Sequence, residues 1–531
     1  METDVLVVGA GPTGLMLANQ LVRRGVRTFI VDRHAGPTLQ TRAIGVQART
    51  LEIYAHLGIV RRVLELGSRT IGADLWALGR RAARIPLSEI GHGMSPYPYL
   101  LIFPQDDNEL VLGDALRERG QSVQWNTELL GLAHHDDHVV ATLHHADGKT
   151  RDMVVGWVAG CDGARSTVRE LCNIAFVGAP YEHVFYVTDV EMTGPMVADE
   201  LNVYLWRGGF HLFFPMRGRD HWRIVGIVPP ALRGRDDLTL EQMFPAIRAE
   251  AGAALALRKC TWFSTYRIHH RRAERFRAGR CFLLGDAAHI HSPVGAQGMN
   301  TGLQDAYNLA WKLALVLSGN AQESLLDSYE AERLPVATRL LRTTDRAFSI
   351  VVSDSAVAGF FRTRVFTKIL AFAMKITRVR QLVFRTISQI GIRYRRSFLS
   401  QTLPGAMGSG PRAGDRFPWL KLKLAAAGPS EDIFDALDDT RFTLILIGQE
   451  PTANGDHGVG DLLHTIVVPA DPENALELAR AGIVSPAFYL LRPDCYIGLA
   501  GARFDPAALR RYISERLAVR MAASATLPSG S

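Results

Sequence analysis

Cysteine is scarce in this chain of 531 residues: five in all, Cys161, Cys172, Cys260, Cys281 and Cys495, with no Cys-x-x-Cys pair and no zinc-ligand spacing. That scarcity argues against a disulfide framework and a structural metal, and a reducing cytoplasm is the expected compartment. Long apolar runs are missing too. The greasiest stretch, Val365 to Met374, is broken by Lys368 and falls well short of the roughly 20 apolar residues of a spanning helix. Val5-Leu6-Val7-Val8 lacks the basic flank of a secretion signal, having Glu2 and Asp4 instead, so neither export nor a membrane partner is expected. Charge of one sign is nearly balanced, 60 basic against 53 acidic residues with a net +7, and spread without a basic tail. Such a surface suits anionic small molecules rather than nucleic acid. No Gly-x-Ser-x-Gly elbow follows a strand, which removes serine-nucleophile chemistry. His134, His135, Asp136, Asp137, His138, His144 and His145 lie in a polar turn region without defined ligand geometry, so no metal is expected there.

What is present is a globular composition, 47% hydrophobic and 21% charged, in a chain long enough for two or three domains. Asp4 to Val8 reads as a buried strand, Thr13 to Arg24 as a helix stopped by Gly25, and Val26 to Val31 as a second strand. This βαβ opening implies a parallel sheet covered by helices. Ala73 to Phe103 and Phe185 to Val228 alternate as strands with Gly-rich turns, which predicts a second, sheet-rich layer for the substrate. Cys281 to Leu284 returns to the buried-strand pattern, and a long helix is predicted from near Gly298 through Leu317. Val336 to Ser400 is helix-rich and basic, with Arg362, Lys368, Lys375 and Arg378 expected on a solvated face. Pro404 to Asp415 reads as a linker into a small α/β unit.

Gly9-Ala10-Gly11-Pro12-Thr13-Gly14 sits between a strand and a helix, the context a dinucleotide fingerprint requires. Gly9 permits the tight turn, Gly11 lets pyrophosphate approach the backbone, and Gly14 allows close helix-sheet packing. Asp32, ending the next strand, accepts ribose hydroxyls and repels a 2′-phosphate, which favours FAD or NAD over NADP. A third strand then delivers Gly285-Asp286-Ala287-Ala288-His289, whose carboxylate suits the hydroxyls of ribitol, a group nicotinamide nucleotides lack. Pro293-Val294-Gly295-Ala296-Gln297-Gly298-Met299-Asn300 leads into a helix whose positive end would stabilise a reduced isoalloxazine ring.

Together with Cys161-Asp162-Gly163-Ala164-Arg165-Ser166-Thr167-Val168-Arg169, these motifs resemble the flavoprotein aromatic hydroxylases, single-component FAD monooxygenases similar to para-hydroxybenzoate and phenol hydroxylases. The resemblance runs from the start to about Ser400. It implies an α/β fold: a Rossmann-like FAD-binding domain (1–72, 105–176 and 277–345), a β-sheet substrate domain (73–104 and 177–276) and a helical segment (346–403). The Ile387 to Tyr394 run, Gly414-Asp415-Arg416 and Arg492-Pro493-Asp494-Cys495-Tyr496 resemble the hydroxyphenylpropionate, chlorophenol and polyketide hydroxylase branch. That branch implies a C-terminal thioredoxin-like domain (404–520) before a tail (521–531). One cysteine there excludes dithiol exchange, leaving packing or dimer contacts, so a homodimer stays open.

By the same resemblance Gly9, Gly11, Pro12, Thr13, Gly14, Asp32, Arg33, Arg42, Gln105, Asp162, Gly285, Asp286, Pro293, Gly295, Gln297, Gly298, Met299 and Asn300 bind FAD. Gly163 and Arg165 serve the pyrophosphate or NAD(P)H region, and Ala296 departs from the second glycine many relatives have. The implied reaction has NADPH or NADH reduce the flavin, O2 add at C4a, and the hydroperoxide's distal oxygen attack a phenolic or polycyclic aromatic ring, polyketides included. A base for the phenol is expected, with Tyr204, His211, Tyr266 and His269 as candidates, and Arg207 and Arg223 as anchors for a substrate carboxylate. Alternatives are a same-fold monooxygenase inserting oxygen beside a ketone, and a flavin-folded binding protein without catalysis.

Overall fold

The computed structural model describes residues 2–38, 43–235, 237–252, 254–291, 295–352, 356–404, 408, 410–425, 428–451 and 459–520. Its first layer grows from the βαβ opening. Thr3–Val8 pairs in parallel with Thr28–Val31 on one side and with Thr150–Gly160 on the other, and Cys281–Leu283 joins Thr150–Gly160 in parallel. Val5, Leu6 and Val7 are fully buried, as a strand covered on both faces must be. The helix Pro12–Val22 packs on this sheet and against both Gln105–Glu118 and Gly298–Leu317, and all three helices bury side chains in its core. An antiparallel meander, Glu128–His134 and Val139–His144, extends it from Thr150–Gly160, so the histidine-rich stretch forms strand ends and turns.

A second sheet of eight strands is organised around two long antiparallel partners, Phe176–Thr193 and Ala256–Ala273. His221–Ile227, Gly209–Pro215 and Leu201–Trp206 follow as an antiparallel series, and Ala73–Ala77 then adds in parallel. Side chains alternate between two faces. One face packs Trp76, Tyr186, Tyr204 and Phe213 against the helix Leu240–Ala251. The other carries Phe185, Val187, Phe210, Phe214, Val225 and Ile227. Leu100–Ile102 pairs with Gly45–Val46 and Ser68–Thr70 in a separate small sheet at the junction of the two layers.

The expected solvated basic face after residue 336 is only partly found. Arg362 is 3% exposed, and its guanidinium donates to the carbonyls of Trp206 and Arg207 at 3.0 and 2.7 Å, stapling this helical segment to the substrate sheet. The C-terminal unit holds a five-stranded sheet in which Phe442–Ile447 lies between parallel Leu463–Val468 and antiparallel Ala487–Leu491. No helix among the described residues is long and apolar enough to cross a membrane.

Candidate active site

The loop from Gly9 to Gly14 lies at the carboxyl end of the parallel strands, where open α/β sheets take their ligands. Gly9 has φ +101°, and a β-carbon there would stand 2.4 Å from the Cys161 carbonyl oxygen; one at Gly14 would stand 1.9 Å from the Gly9 carbonyl oxygen. Backbone packing alone forbids side chains at both. Gly11 differs, because a β-carbon there would meet nothing within 4 Å, so its open side is a cradle for an incoming group. The helix begins with Pro12 and has no side-chain cap, which leaves its first N–H groups and positive end to a ligand. Thr13 is wedged against the later motif: β-carbons at Gly285 and Gly302 would lie 2.7 and 2.3 Å from its Oγ1. Two segments distant in sequence are thereby locked together.

Asp32 ends the neighbouring strand, its Oδ2 accepting the Ala10 N–H at 2.7 Å and its Oδ1 the His34 N–H at 2.9 Å. Oδ1 also lies 2.7 Å from His34 Nδ1, whereas Oδ2 keeps a further acceptor position for a ribose hydroxyl. Arg33 beside it is exposed. Gln105 opens its helix with Oε1 accepting the Ala43 N–H at 3.3 Å and Nε2 donating to Glu109 at 2.9 Å. Glu109, absent from the sequence-based set, is buried and accepts the Thr38 N–H at 3.0 Å; burial raises its carboxyl above the ordinary range. Its position one helical turn after Gln105 was the available signal. Arg42 and Pro293 lie outside the described residues.

Asp162 follows the strand that Gly9 touches. Its Oδ2 accepts the Val168 N–H at 3.1 Å, while Oδ1 is buried with no hydrogen-bond partner among the described residues, and burial raises its pKa. Such an open acceptor is available to a ligand donor or an ordered water. Gly163 has φ +76° with open space beside it, and Arg165 is exposed. Arg169, present in the motif but given no role from the sequence, is a second residue of the site. It is buried and donates to the carbonyls of Ala287 at 3.0 Å and Ala164 at 2.9 Å, joining the middle motif to the Gly285 turn.

Gly285, at φ +58°, donates its N–H to Asp305 Oδ2 at 3.0 Å. The same oxygen lies 2.7 Å from His289 Nε2, and Oδ1 accepts Arg333 Nε at 2.5 Å. Burial opposes ionisation of Asp305, but Arg333 and His289 hold its carboxyl below the ordinary range. Asp286 is exposed on this turn. Gly295 and Ala296 are both left-handed, φ +82° and +51°, which explains why a glycine suits the second position. Gln297 is buried and donates to the Thr386 carbonyl at 3.1 Å. The helix it precedes has no side-chain cap, so the N–H groups of Gly298, Met299 and Asn300 lack intrahelical acceptors. Asn300's side chain is fully engaged: Oδ1 accepts from Gln47 N–H and Thr50 Oγ1 at 2.9 and 2.7 Å, and Nδ2 donates to Gly45 and Ala296 carbonyls at 2.8 and 2.7 Å. Its backbone, not its amide, is what remains for a ligand. The glycine cradles, the open Asp162 oxygen and the uncapped helix starts fit an extended dinucleotide such as FAD.

Across from this cradle, Ile44 and Ile102 pack on Val187, Phe214 and Val225 of the second sheet. Strand register lays out this face in rows: Trp262–Asp189–Arg223–Phe214, then Ser264–Val187–Val225–Leu212, then Tyr266–Phe185–Ile227. Arg223 is buried, forms a double hydrogen bond to Asp189, and leaves Nη1 with no partner among the described residues. Burial pushes the Tyr266 phenol up to about 12, against the pull of Arg223, so near neutral pH it is a donor and not a base. Tyr204 and His211 occupy the opposite face. Tyr204 stacks on Trp76, and His211 joins the Tyr186 hydroxyl at 2.8 Å to Glu250 at 3.0 Å. His269 sits three residues beyond Tyr266, half-buried opposite Pro180, with its pKa lowered by burial and by Arg271 and His270. Arg207 is exposed. A cavity of about 360 Å³, lined by His56, Tyr97, Asp432 and Asp435, contains no residue of the three motifs.

A family profile described as FAD binding domain matches residues 2–344. The 6-methylpretetramide 4-monooxygenase of Streptomyces rimosus is 34% identical over 94% of this chain and 91% of its own length. Pentachlorophenol 4-monooxygenase of Sphingobium chlorophenolicum is 32% identical over 84% of this chain and 80% of its own. Among solved structures, an anhydrotetracycline hydroxylase from Streptomyces rimosus superposes with a TM-score of 0.76 at 28% identity, covering 97% of this chain and 99% of that one. A ternary complex of aklavinone-11 hydroxylase with FAD and aklavinone gives a TM-score of 0.79 at 25% identity, with the same two coverages.

Proposed function

This chain belongs to the FAD-binding family of flavin-dependent aromatic monooxygenases, and from that premise we propose that it hydroxylates a polycyclic phenol of the aromatic polyketide type, consuming NAD(P)H and O2. FAD, when bound, supplies the two-electron and oxygen chemistry. The chain's own residues bind, orient and enclose. In this reading Asp32 accepts the ribose hydroxyls and the Gly11 cradle, backed by the start of the Pro12 helix, takes the pyrophosphate. Asp162 would accept a donor beside it, Asp286 and Gln105 would hold the ribityl chain, and the N–H groups of Gly298 to Asn300 would stabilise negative charge on the reduced ring. Arg42 and Pro293 join this set as proposals from the motif alone.

The observation that carries the substrate reading is the apolar, aromatic face that meets Ile44 and Ile102, interrupted by one buried arginine with an unused donor. Flat polycyclic rings suit Phe185, Phe214 and Val225. Arg223 would stabilise the phenolate that makes the ring electron-rich, and Tyr266 would donate to an oxygen of the same substrate. Relatives named for 6-methylpretetramide, anhydrotetracycline and aklavinone support a polycyclic substrate, while the pentachlorophenol relative makes a single-ring phenol the competing class.

The C-terminal unit supports a thioredoxin-like reading: a parallel pair, Phe442–Ile447 and Leu463–Val468, then the helix Pro472–Arg480, the antiparallel strands Ala487–Leu491 and Ile497–Gly501, and the helix Pro506–Arg511. Its role here is structural.

The test is direct. Purified protein should carry one FAD per chain, oxidise NAD(P)H faster with tetracyclic phenols than with phenol itself, and return a product heavier by one oxygen on an intact ring. A ring-expanded ester would instead assign insertion beside a ketone, and ligand binding without NAD(P)H consumption would leave only a binding protein.

A further inference from the structure

Three residues outside the flavin site converge beside the first sheet. His134 closes the strand Glu128–His134, Cys172 caps the short helix Thr167–Leu171, and Cys281 opens the strand Cys281–Leu283. Their ligand atoms, one imidazole nitrogen and two sulfurs, all lie within 4.8 Å of one another. The helix that Cys172 ends packs against both of those strands, so the backbone holds all three residues in place. Burial is graded: Cys281 is buried, Cys172 half-buried and His134 exposed, which gives a dry floor and a wet mouth.

Two thiolates and an imidazole are the donor set of zinc-class cations, whereas carboxylate and water sites suit magnesium or calcium. A tetrahedral centre with ordinary zinc bond lengths keeps its donor atoms about 3.5–3.8 Å apart, within reach of small rotamer changes from the observed spread. We propose that His134, Cys172 and Cys281 form a three-ligand site for a zinc-class divalent cation, with water in the fourth position at the exposed His134 side. Binding converts both thiols to thiolates bonded to the metal and releases two protons to solvent, with no change of oxidation state. Cys172 lies shortly after the Asp162–Arg169 motif and Cys281 just before the Gly285 turn, so the cation would tie together two arms of the flavin cradle.

The test uses the FAD-loaded protein. Cobalt titration should give one equivalent per chain with ligand-field absorption in the red, where oxidised flavin is transparent, and zinc should displace it. Thermal unfolding should shift upward with free zinc, as mass action requires. His134→Ala and Cys172→Ser should each weaken cobalt binding about tenfold or more, with flavin content confirming that both variants fold, while His144→Ala binds as the parent does. Absence of the cobalt spectrum, unchanged binding in those two variants, or formation of a Cys172–Cys281 disulfide in the presence of zinc would each overturn the site.

Discussion

Asp32 and Arg223 act at opposite ends of the proposed active site, and each supports a separate prediction. The Asp32 carboxylate already accepts two backbone N–H groups, so Asp32→Ala removes both the loop's anchor and the ribose acceptors. Hydrogen bonds to charged groups contribute about 1.5–3 kcal/mol, and FAD affinity should fall about ten- to hundredfold, read by titrating apoprotein against flavin fluorescence. An unchanged dissociation constant would detach Asp32 from the cofactor. Arg223→Met should lower kcat/KM for the aromatic substrate about ten- to hundredfold, while the slow NAD(P)H oxidation without substrate stays the same. Tyr266→Phe tests the donor role: loss of a base would abolish the rise of rate with pH that its deprotonation causes, whereas loss of a donor pushed up to about 12 leaves the profile's shape below pH 9 or so intact and costs only rate.

The flavin loop is where an element's geometry disagrees with its residue. Ala296 holds φ +51°, a conformation that costs a side-chain-bearing residue about 1–2 kcal/mol. Ala296→Gly should therefore raise the unfolding midpoint in calorimetry by about a degree, the gain being partly offset by the greater freedom of glycine in the unfolded chain. A β-carbon at Gly45 would lie 2.6 Å from that of Ala296, so Gly45→Ala should lower the midpoint instead. How much was legible follows the same division. Glycines and aspartates at strand ends could be read because local backbone geometry demands them, and the Gly298–Leu317 helix starts where its motif predicts. Gln304, Asp305, Asn308 and Lys312 on that helix are nearly or fully buried, which periodicity alone would assign to apolar residues. Their partners, Gln389, Arg333 and Glu332, come from remote segments that no local pattern points to. Tyr204 and His211 stand with Tyr266 as candidates because a strand pattern does not say which face meets the cofactor; the packing of Ile44 and Ile102 reveals it.

At the scale of the molecule, the C-terminal unit is joined to the FAD-binding unit by buried charge. Glu332 accepts Lys312 Nζ at 2.9 Å and both Arg492 Nη atoms at 2.5 and 3.0 Å, while Asp494 holds Arg492 and Trp311. Glu52 does the same with Arg416 and Arg49. Glu332→Gln leaves Arg492 and Lys312 buried with half their counter-charge, and should cost about 3–5 kcal/mol in urea unfolding. Burial opposes ionisation of Glu332, but Arg492 and Lys312 hold its carboxyl well below the ordinary range. Its stabilisation is therefore fully present above about pH 4.3 and is lost as pH falls toward the depressed folded value. The parent protein should lose stability steeply on acidification through that window, and Glu332→Gln should lose less.

The charges that seal this junction also restrict how the chain can be rearranged in the laboratory or by recombination. A tail exchanged between homologues carries Arg416, Arg492 and Asp494 away from Glu52, Lys312 and Glu332, and every hybrid that breaks a pair strands an ion in a greasy seam. Chimeras should survive when these residues travel as a set and precipitate when they do not, so the C-terminal unit behaves as a keystone and not as an interchangeable cassette.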